Sequence, residues 1–256
     1  MDKLPLSVVI ITFNEERNIA RCLDSVSNLA DEVLVVDSYS KDRTKELALE
    51  RGAKFVEHPF EGHIQQKNWA WEQASNEWVL SLDADEALDQ TLAQSIRELL
   101  LGSPENEGYT MNRLTNYCGH WVKHSGWYPD TKMRLFRKGK GAWGGVNPHD
   151  KFELNSKEAG GHLTGDILHY SYYTREDHLK QIEYFSNIAS LELHEQGKSI
   201  ATPMIWLKVV AQYVKNLILK TGFLDGKTGF TIARLSAYAT FRKYTKLQQR
   251  NAGSFE

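Results

Sequence analysis

The runs "LSVVIIT" (residues 6–12), "EVLVVD" (32–37) and "EWVLSLD" (77–83) are apolar almost throughout rather than at every second position. Strands of that kind need cover on both faces, which is the situation in a parallel sheet flanked by helices. Helical segments lie between them. Glu15 to about Leu29 puts Ile19, Leu23 and Val26 on one face, with Asn14 expected as its cap. "KDRTKELALERG" is a helix that Gly52 ends, "AKFVEH" a third strand, "IQQKNWAWEQA" another helix, and Asp89 caps a helix running to about Leu101. This alternation predicts an α/β fold with right-handed crossovers, whose ligands bind beyond the carboxyl ends of the strands.

The polar residues at those ends are Thr12-Phe13-Asn14-Glu15, Asp37 and Asp83-Ala84-Asp85-Glu86. Three carboxylates within four positions at the end of an apolar strand repel one another and are costly to bury unless a cation holds them. Mg2+ or Mn2+ takes oxygen ligands, usually one or two carboxylates, with phosphate and water completing the shell. An Asp-x-Asp at this place therefore suggests a metal–diphosphate site, against the alternative of a capped strand end with solvated acids. No G-x-G-x-x-G and no G-x-x-x-x-G-K-[ST] is present, which weakens dinucleotide oxidoreductase and P-loop readings. Phosphatases with an aspartyl nucleophile carry the Asp-x-Asp on their first strand, whereas this one follows the fourth.

After Gly108 the pattern changes to short strands, glycine-rich turns and many aromatics, and from Thr174 it becomes helical in segments starting near Thr174, Pro203 and Thr228. The expected organisation is an α/β domain over 1–172, with a first half 1–107 and a mixed half 108–172 that closes the other side of the cleft, followed by a helical region 173–256. The N-terminal apolar run is short, β-branched and leads into acids, so it reads as a strand and not as a signal peptide. Cys22 and Cys118 form no disulfide framework, which fits a reducing cytosol.

The order and spacing of "SVVIITFNEERNIARCLDSV", "EVLVVDSYSKDRT" and "QQKNWAWEQASNEWVLSLDADE" resemble the nucleotide-sugar-binding half of family 2 inverting glycosyltransferases, which have the GT-A fold. "GWYPDTKMRLFRKGKGAWGGVNPHDKF" and "ILHYSYYTREDHLKQIEYFSN" are similar to the lipopolysaccharide core enzymes that add a sugar, typically glucose, to inner-core heptose. The resemblance implies a Rossmann-like nucleotide-sugar-binding sheet and a UDP-sugar donor, with 1–107 as the donor-binding half and 108–172 as the acceptor half. Thr12, Asn14 and Glu15 would then lie beside the nucleoside, and Asp37 would accept hydrogen bonds from uracil and ribose. Lys67, next to Asn68, would lie near the donor phosphates. Asp83 would contact ribose and metal, Asp85 would bind the Mg2+ or Mn2+, and His169 would complete its shell. The family's Val-His-Glu is "VNPHDKF" in this chain, so the implied base is Asp150, one methylene shorter, with His149 as its orienting neighbour on the acceptor side.

Trp127 and Tyr128 could form a stacking platform for an acceptor sugar or simply pack in a core. Arg134 and Arg137, with Lys138 and Lys140, could bind acceptor phosphates or line a basic hairpin. The formal charge is −2 overall, but beyond residue 196 ten Lys and Arg face two acids, leaving this tail at +8 and the rest at −10. "PMIWLKVVAQYVKNLILKT" is interrupted by lysines and so fits a basic amphipathic helix in a membrane interface, or one packed on protein, better than a spanning segment. The function expected is transfer of a sugar from a UDP-sugar to a lipid-linked oligosaccharide by a cytoplasmic enzyme, peripheral on the inner face of the cytoplasmic membrane. Alternatives are a polyprenyl-phosphate acceptor and a non-catalytic membrane-associated scaffold. Nothing in the sequence indicates nucleic-acid binding.

Overall fold

The computed structural model describes residues 2–146, 149–156 and 160–254. The chain separates into two units, Met1–Arg113 with Asp130–Tyr170, and Leu114–Pro129 with Ser171–Glu256. In chain order the elements are β1 (Leu4–Thr12), α1 (Ile19–Val26), β2 (Ala30–Asp37), α2 (Thr44–Glu50), β3 (Lys54–Glu57), α3 (His63–Glu72), β4 (Trp78–Asp83), β5 (Glu86–Leu88) and α4 (Gln90–Leu101). There follow β6 (Gly108–Tyr117), β7 (His120–Trp121), β8 (Asp130–Arg137), β9 (Gly141–Val146), β10 (His149–Leu154) and β11 (Gly161–Tyr172), then the helices α5 (Arg175–Glu195), α6 (Thr202–Val214) and α7 (Gly226–Asn251).

The main sheet has the order β3-β2-β1-β4-β8-β6-β11-β5, with β7 on β6. β1, β2, β3 and β4 pair in parallel, and β8 joins β4 antiparallel. Only Ala84 and Asp85 separate β4 from β5, although β8, β6 and β11 lie between them in the sheet. Three residues span about 10 Å at most, so the sheet must curl until its last strand returns to the end of β4. This is the mixed, Rossmann-like sheet of a GT-A fold.

Both faces of the sheet are covered, as the continuous apolar runs require. On one face Leu6, Val8 and Ile10 of β1 pack with Ile19, Cys22, Leu23 and Val26 of α1 and with Leu92 and Ile96 of α4. On the other, Val9, Leu34, Val36 and Val79 pack with Ala70 of α3 and with Trp143 and Phe152 of the β9–β10 hairpin. That hairpin is a separate two-stranded sheet, docked by the stacking of Phe152 on Phe136 of β8, 3.7 Å between centroids.

The sequence-based helix ends hold at Gly52, where φ is +72°, and at Asp89, whose carboxylate accepts the Leu92 N–H at 2.6 Å. The first helix is a correction. It begins at Ile19 rather than Glu15, and Asn14 does not cap it. Asn14 sits in the left-handed region at φ +54°; its N–H donates to Ser40 and that of Glu15 to Thr44. The loop between β2 and α2 thus takes up these N–H groups and holds residues 14–18 out of the helix.

In the second unit, Thr174 and Asp177 form the capping box that starts α5. Arg242 of α7 forks onto the Glu183 carboxylate of α5 at 2.7 and 2.9 Å. α6 passes through a π-helical turn, Lys215–Leu219, and a 3-10 turn, Gly222–Asp225, before α7. A Cβ on Gly229 of α7 would fall 1.7 Å from the Gly222 carbonyl oxygen, so glycine is what permits this contact.

Candidate active site

β1, β2 and β4 end in register: Thr12 pairs with Asp37 across β1–β2, and Ile11 with Asp83 across β1–β4. The three polar strand ends picked out in the sequence therefore share one rim of the first unit. Asp37 is buried and ties down the loop beyond it, accepting the Ser40 N–H at 2.7 Å as well as its hydroxyl. The Asn14 side-chain oxygen accepts the Lys41 N–H at 2.8 Å.

At the end of β4 the acids are arranged around buried cations. Lys67 of α3, only 4% exposed, places Nζ 3.0 Å from Asp83 and 2.8 Å from Asp150 of β10. Arg134 of β8 is equally buried, and its Nη2 donates to Asp83 at 2.9 Å and to Glu86 at 2.8 Å. Arg113 of β6 reaches Glu86 at 3.4 Å and pairs with Asp130 at 2.7 Å. Glu86 also accepts the Asp83 N–H, which closes the Asp-Ala-Asp-Glu turn. Burial raises the Asp83 carboxyl, but Lys67 and Arg134 outweigh it and hold the group well below its ordinary value.

Two hydrogen bonds bring Asp150 to this cluster. Asn68 of α3 donates to the Trp143 carbonyl oxygen and accepts the Trp143 N–H, both at 2.9 Å, and so clamps β9 to the helix. The ladder then sets Asp150 opposite Gly145, while Lys67 stands over the Trp143 ring, 4.5 Å from its centroid.

His169 of β11 pairs with Glu86 of β5 in the ladder, and its Nε2 lies 3.1 Å from Asp85 Oδ2. Burial pushes the Asp85 carboxyl up, but the imidazole outweighs it and the net shift is downward. Glu15 behaves oppositely: burial, aided by the charges of Asp85, Asp42 and Asp83, raises it to about 7 despite its hydrogen bond from Asn18.

The carboxylates of Asp83 and Asp85 are oxygen donors of the kind Mg2+ and Mn2+ take, and the His169 imidazole is hydrogen-bonded to the second of them. Among the described residues no group of three or more His, Cys, Asp or Glu side chains is gathered tightly enough to hold a metal alone. The donor set fits a cation bound by one or two protein ligands, with phosphate oxygens supplying others.

The structure thus gathers Thr12, Glu15, Asp37, Lys67, Asp83, Asp85, Asp150 and His169 in the first unit, with Asn14 in the adjoining loop. Arg134 was expected at an acceptor phosphate. Its buried guanidinium bridges Asp83 and Glu86 through Nη2, while Nε and Nη1 have no hydrogen-bond partner among the described residues. His149 is described only in its backbone, paired with Val146; its side chain lies outside the described residues. Trp127 and Tyr128 belong to the second unit. There Trp127 packs with Tyr117, Tyr172 and His178 at centroid distances of 5.6–5.9 Å. Trp143 and Arg113 carry weight that the sequence did not signal; Asn68, expected with Lys67 near the donor phosphates, hydrogen-bonds the Trp143 backbone.

The model of the family described as Glycosyl transferase family 2 matches residues 7–179. The chain belongs to this family. A glycosyltransferase of Rickettsia typhi, described as uncharacterized, is 32% identical over 95% of this chain and 87% of its own length. A lipopolysaccharide core biosynthesis glycosyltransferase, LpsC of Rhizobium meliloti, is 29% identical over 94% of both chains. Glucosyl-3-phosphoglycerate synthase of Mycobacterium tuberculosis, solved with Mn2+, UDP and its product, matches 44% of each chain at 26% identity with a TM-score of 0.35, too slight a likeness to align site residues. This family 2 glycosyltransferase is therefore an enzyme by membership, and its rim of acids lies where such a sheet binds ligands.

Proposed function

We propose that this glycosyltransferase moves a sugar, glucose before others, from a UDP-sugar to a lipid-linked oligosaccharide such as the lipopolysaccharide inner core, at the inner face of the cytoplasmic membrane. The observation that carries the reading is the ion pair of Lys67 with both Asp83 and Asp150. It joins the strand end that suits a diphosphate to Asp150, the carboxylate that the family resemblance implies as the base. The LpsC relative supports the acceptor class.

In this reading Asp150 takes the proton of the acceptor hydroxyl as its oxygen attacks the anomeric carbon. The carbon–oxygen bond to the diphosphate breaks on the opposite face, and UDP leaves with the electron pair, inverting the centre. Asp150 must exchange Lys67 for that hydroxyl, and an arriving diphosphate offers Lys67 other anionic oxygens. Asp37 and Thr12 position the nucleoside, and Asp85 with His169 would hold a divalent cation. When bound, that cation neutralises charge on the diphosphate.

The test is thermal unfolding of wild type and Asp85→Ala with UDP or UMP, with and without Mn2+. A ligand that binds only the folded state raises the midpoint. The expected outcome is a rise with UDP that needs Mn2+ and is absent in Asp85→Ala. No rise under any condition would remove the donor-site assignment.

A further inference from the structure

α6 and the turns after it leave large apolar side chains in solvent. Leu207 is 62% exposed and Leu219 73%, while Val210, Ile218, Phe223 and Leu224 are about half exposed or more. The face opposite them is already used: Ile205 and Asn216 are buried, and Asn216 donates to Ser236 of α7 at 2.9 Å. α6 is therefore apolar on both its inward and its outward sides. A surface helix with that pattern presents an interaction site, because an ordinary outward face is polar.

The presenting segment is well anchored. The buried Asp225 carboxylate accepts the N–H groups of Lys123 at 3.2 Å and His124 at 3.0 Å, and the Ser125 N–H donates to the Lys220 carbonyl at 2.9 Å. The Gly222–Gly229 contact fixes the turn against α7.

Charge identifies the occupant. Lys208, Lys215, Lys220 and Lys227 are exposed residues of the same stretch, Lys208 with its Nζ 5.6 Å from the Tyr244 ring centroid. From residue 197 to 254 the only acidic side chain is Asp225, and it is buried. A two-fold contact between copies would set these lysines against themselves with no carboxylate to answer them. An anionic leaflet meets both needs, apolar burial at the headgroup–acyl boundary and attraction of each lysine.

We infer that the outward face of residues 204–230 inserts into an anionic lipid leaflet. The inference deepens the membrane part of the proposed function and rests on it only for the choice of a lipid partner, since the face belongs to the second unit and not to the donor site.

The test is co-flotation of the full chain with phosphatidylethanolamine–phosphatidylglycerol vesicles and with phosphatidylcholine vesicles. Wild type should float with the first far better than with the second. The combined substitution Leu207→Ser, Leu219→Ser and Leu224→Ser should cut partitioning by at least about a hundredfold. Lys208→Glu with Lys215→Glu and Lys220→Glu should remove the preference for anionic lipid. The UDP and Mn2+ thermal shift, read on the same samples, reports the donor site and shows that each variant is folded. Flotation without a nucleotide shift upholds this inference and overturns the donor-site reading. A nucleotide shift in a wild type that does not float, or that floats as well with the three serines, overturns this inference alone. So does a dimer in light scattering that those serines dissolve in the absence of vesicles.

Discussion

Replacing Arg134 by Met tests whether the acid-rich end of β4 is stabilised as the geometry indicates. Arg134 Nη2 serves two carboxylates at once, Asp83 at 2.9 Å and Glu86 at 2.8 Å, and the Glu86 side chain is fully buried. Removing one partner from a buried ion pair costs about 3–5 kcal/mol. Each acid keeps a second cation, Lys67 at 3.0 Å from Asp83 and Arg113 at 3.4 Å from Glu86, so the loss should fall at or below the bottom of that range, about 2–3 kcal/mol. In urea this is a midpoint lowered by about 1 M at unchanged slope. The pH dependence supplies a second reading. Asp83 is held well below its ordinary value, so its contribution is complete above the unfolded carboxyl value, about 3.9, and is lost as pH falls through the lower folded one. The variant has forfeited much of that contribution at pH 7. Its deficit should therefore shrink as pH falls below about 4. Arg134→Lys, which keeps the charge, should recover part of the stability. A deficit under about 0.5 kcal/mol, or one that stays constant from neutral to acid, would refute the reasoning.

Asp150→Asn should lower the rate of sugar transfer about a thousandfold while leaving the Mn2+-dependent UDP thermal shift in place; a variant as active as wild type would exclude Asp150 as the base. Glu32, almost buried, accepts hydrogen bonds from Ser7, Ser75 and Lys54, which outweigh the effect of burial and bring its carboxyl down to about 2. Its contribution is present above the ordinary carboxyl range and is lost as pH falls toward 2, so Glu32→Gln should cost about 2 kcal/mol at pH 7 and almost nothing near pH 2 in denaturant titrations. Glu15 has the opposite sign: burial raises it to about 7, so the cost to folding builds as pH rises from the unfolded carboxyl value, about 4.3, and is complete above about 7. Without bound ligand, Glu15→Gln should be the more stable protein by roughly 1 kcal/mol at pH 8, after discounting for partial exposure, and equal to wild type near pH 4.

What could be read from the sequence was what short-range chemistry decides. The twofold cover of β1, the stop at Gly52, the cap at Asp89 and the helix start near Thr174 each depend on residues a few positions apart. The polar strand ends also followed, because strand–helix alternation and parallel pairing place them on one rim. What depends on distant partners did not. Arg134 meets Asp83 across 51 positions, so a guanidinium in a basic stretch looked like a surface receptor for phosphate. Lys67 reads as an ordinary helix residue until Asp150, 83 positions on, comes to it. The start of α1 is set by Ser40 and Thr44, which no local propensity reports. Trp127 packs in an aromatic cluster whose other members come from β6, the end of β11 and α5. Residues 114–129 group with the helical unit through contacts of that same range.

The return of β5 to the end of β4 gathers charges that leave the ribosome far apart in time. When the first ninety or so residues have emerged, β1 to β4 are available to pair, yet Asp83, Asp85 and Glu86 have Lys67 as the one cation of their cluster yet made. Arg113 and Arg134 come later, and His169 arrives 84 positions after the Asp85 it meets. Domains fold as units during synthesis, N-terminal parts first, but this parallel half cannot settle its acidic edge by itself. The acidic edge is completed only after the antiparallel strands that carry Arg113, Arg134 and His169 have been translated.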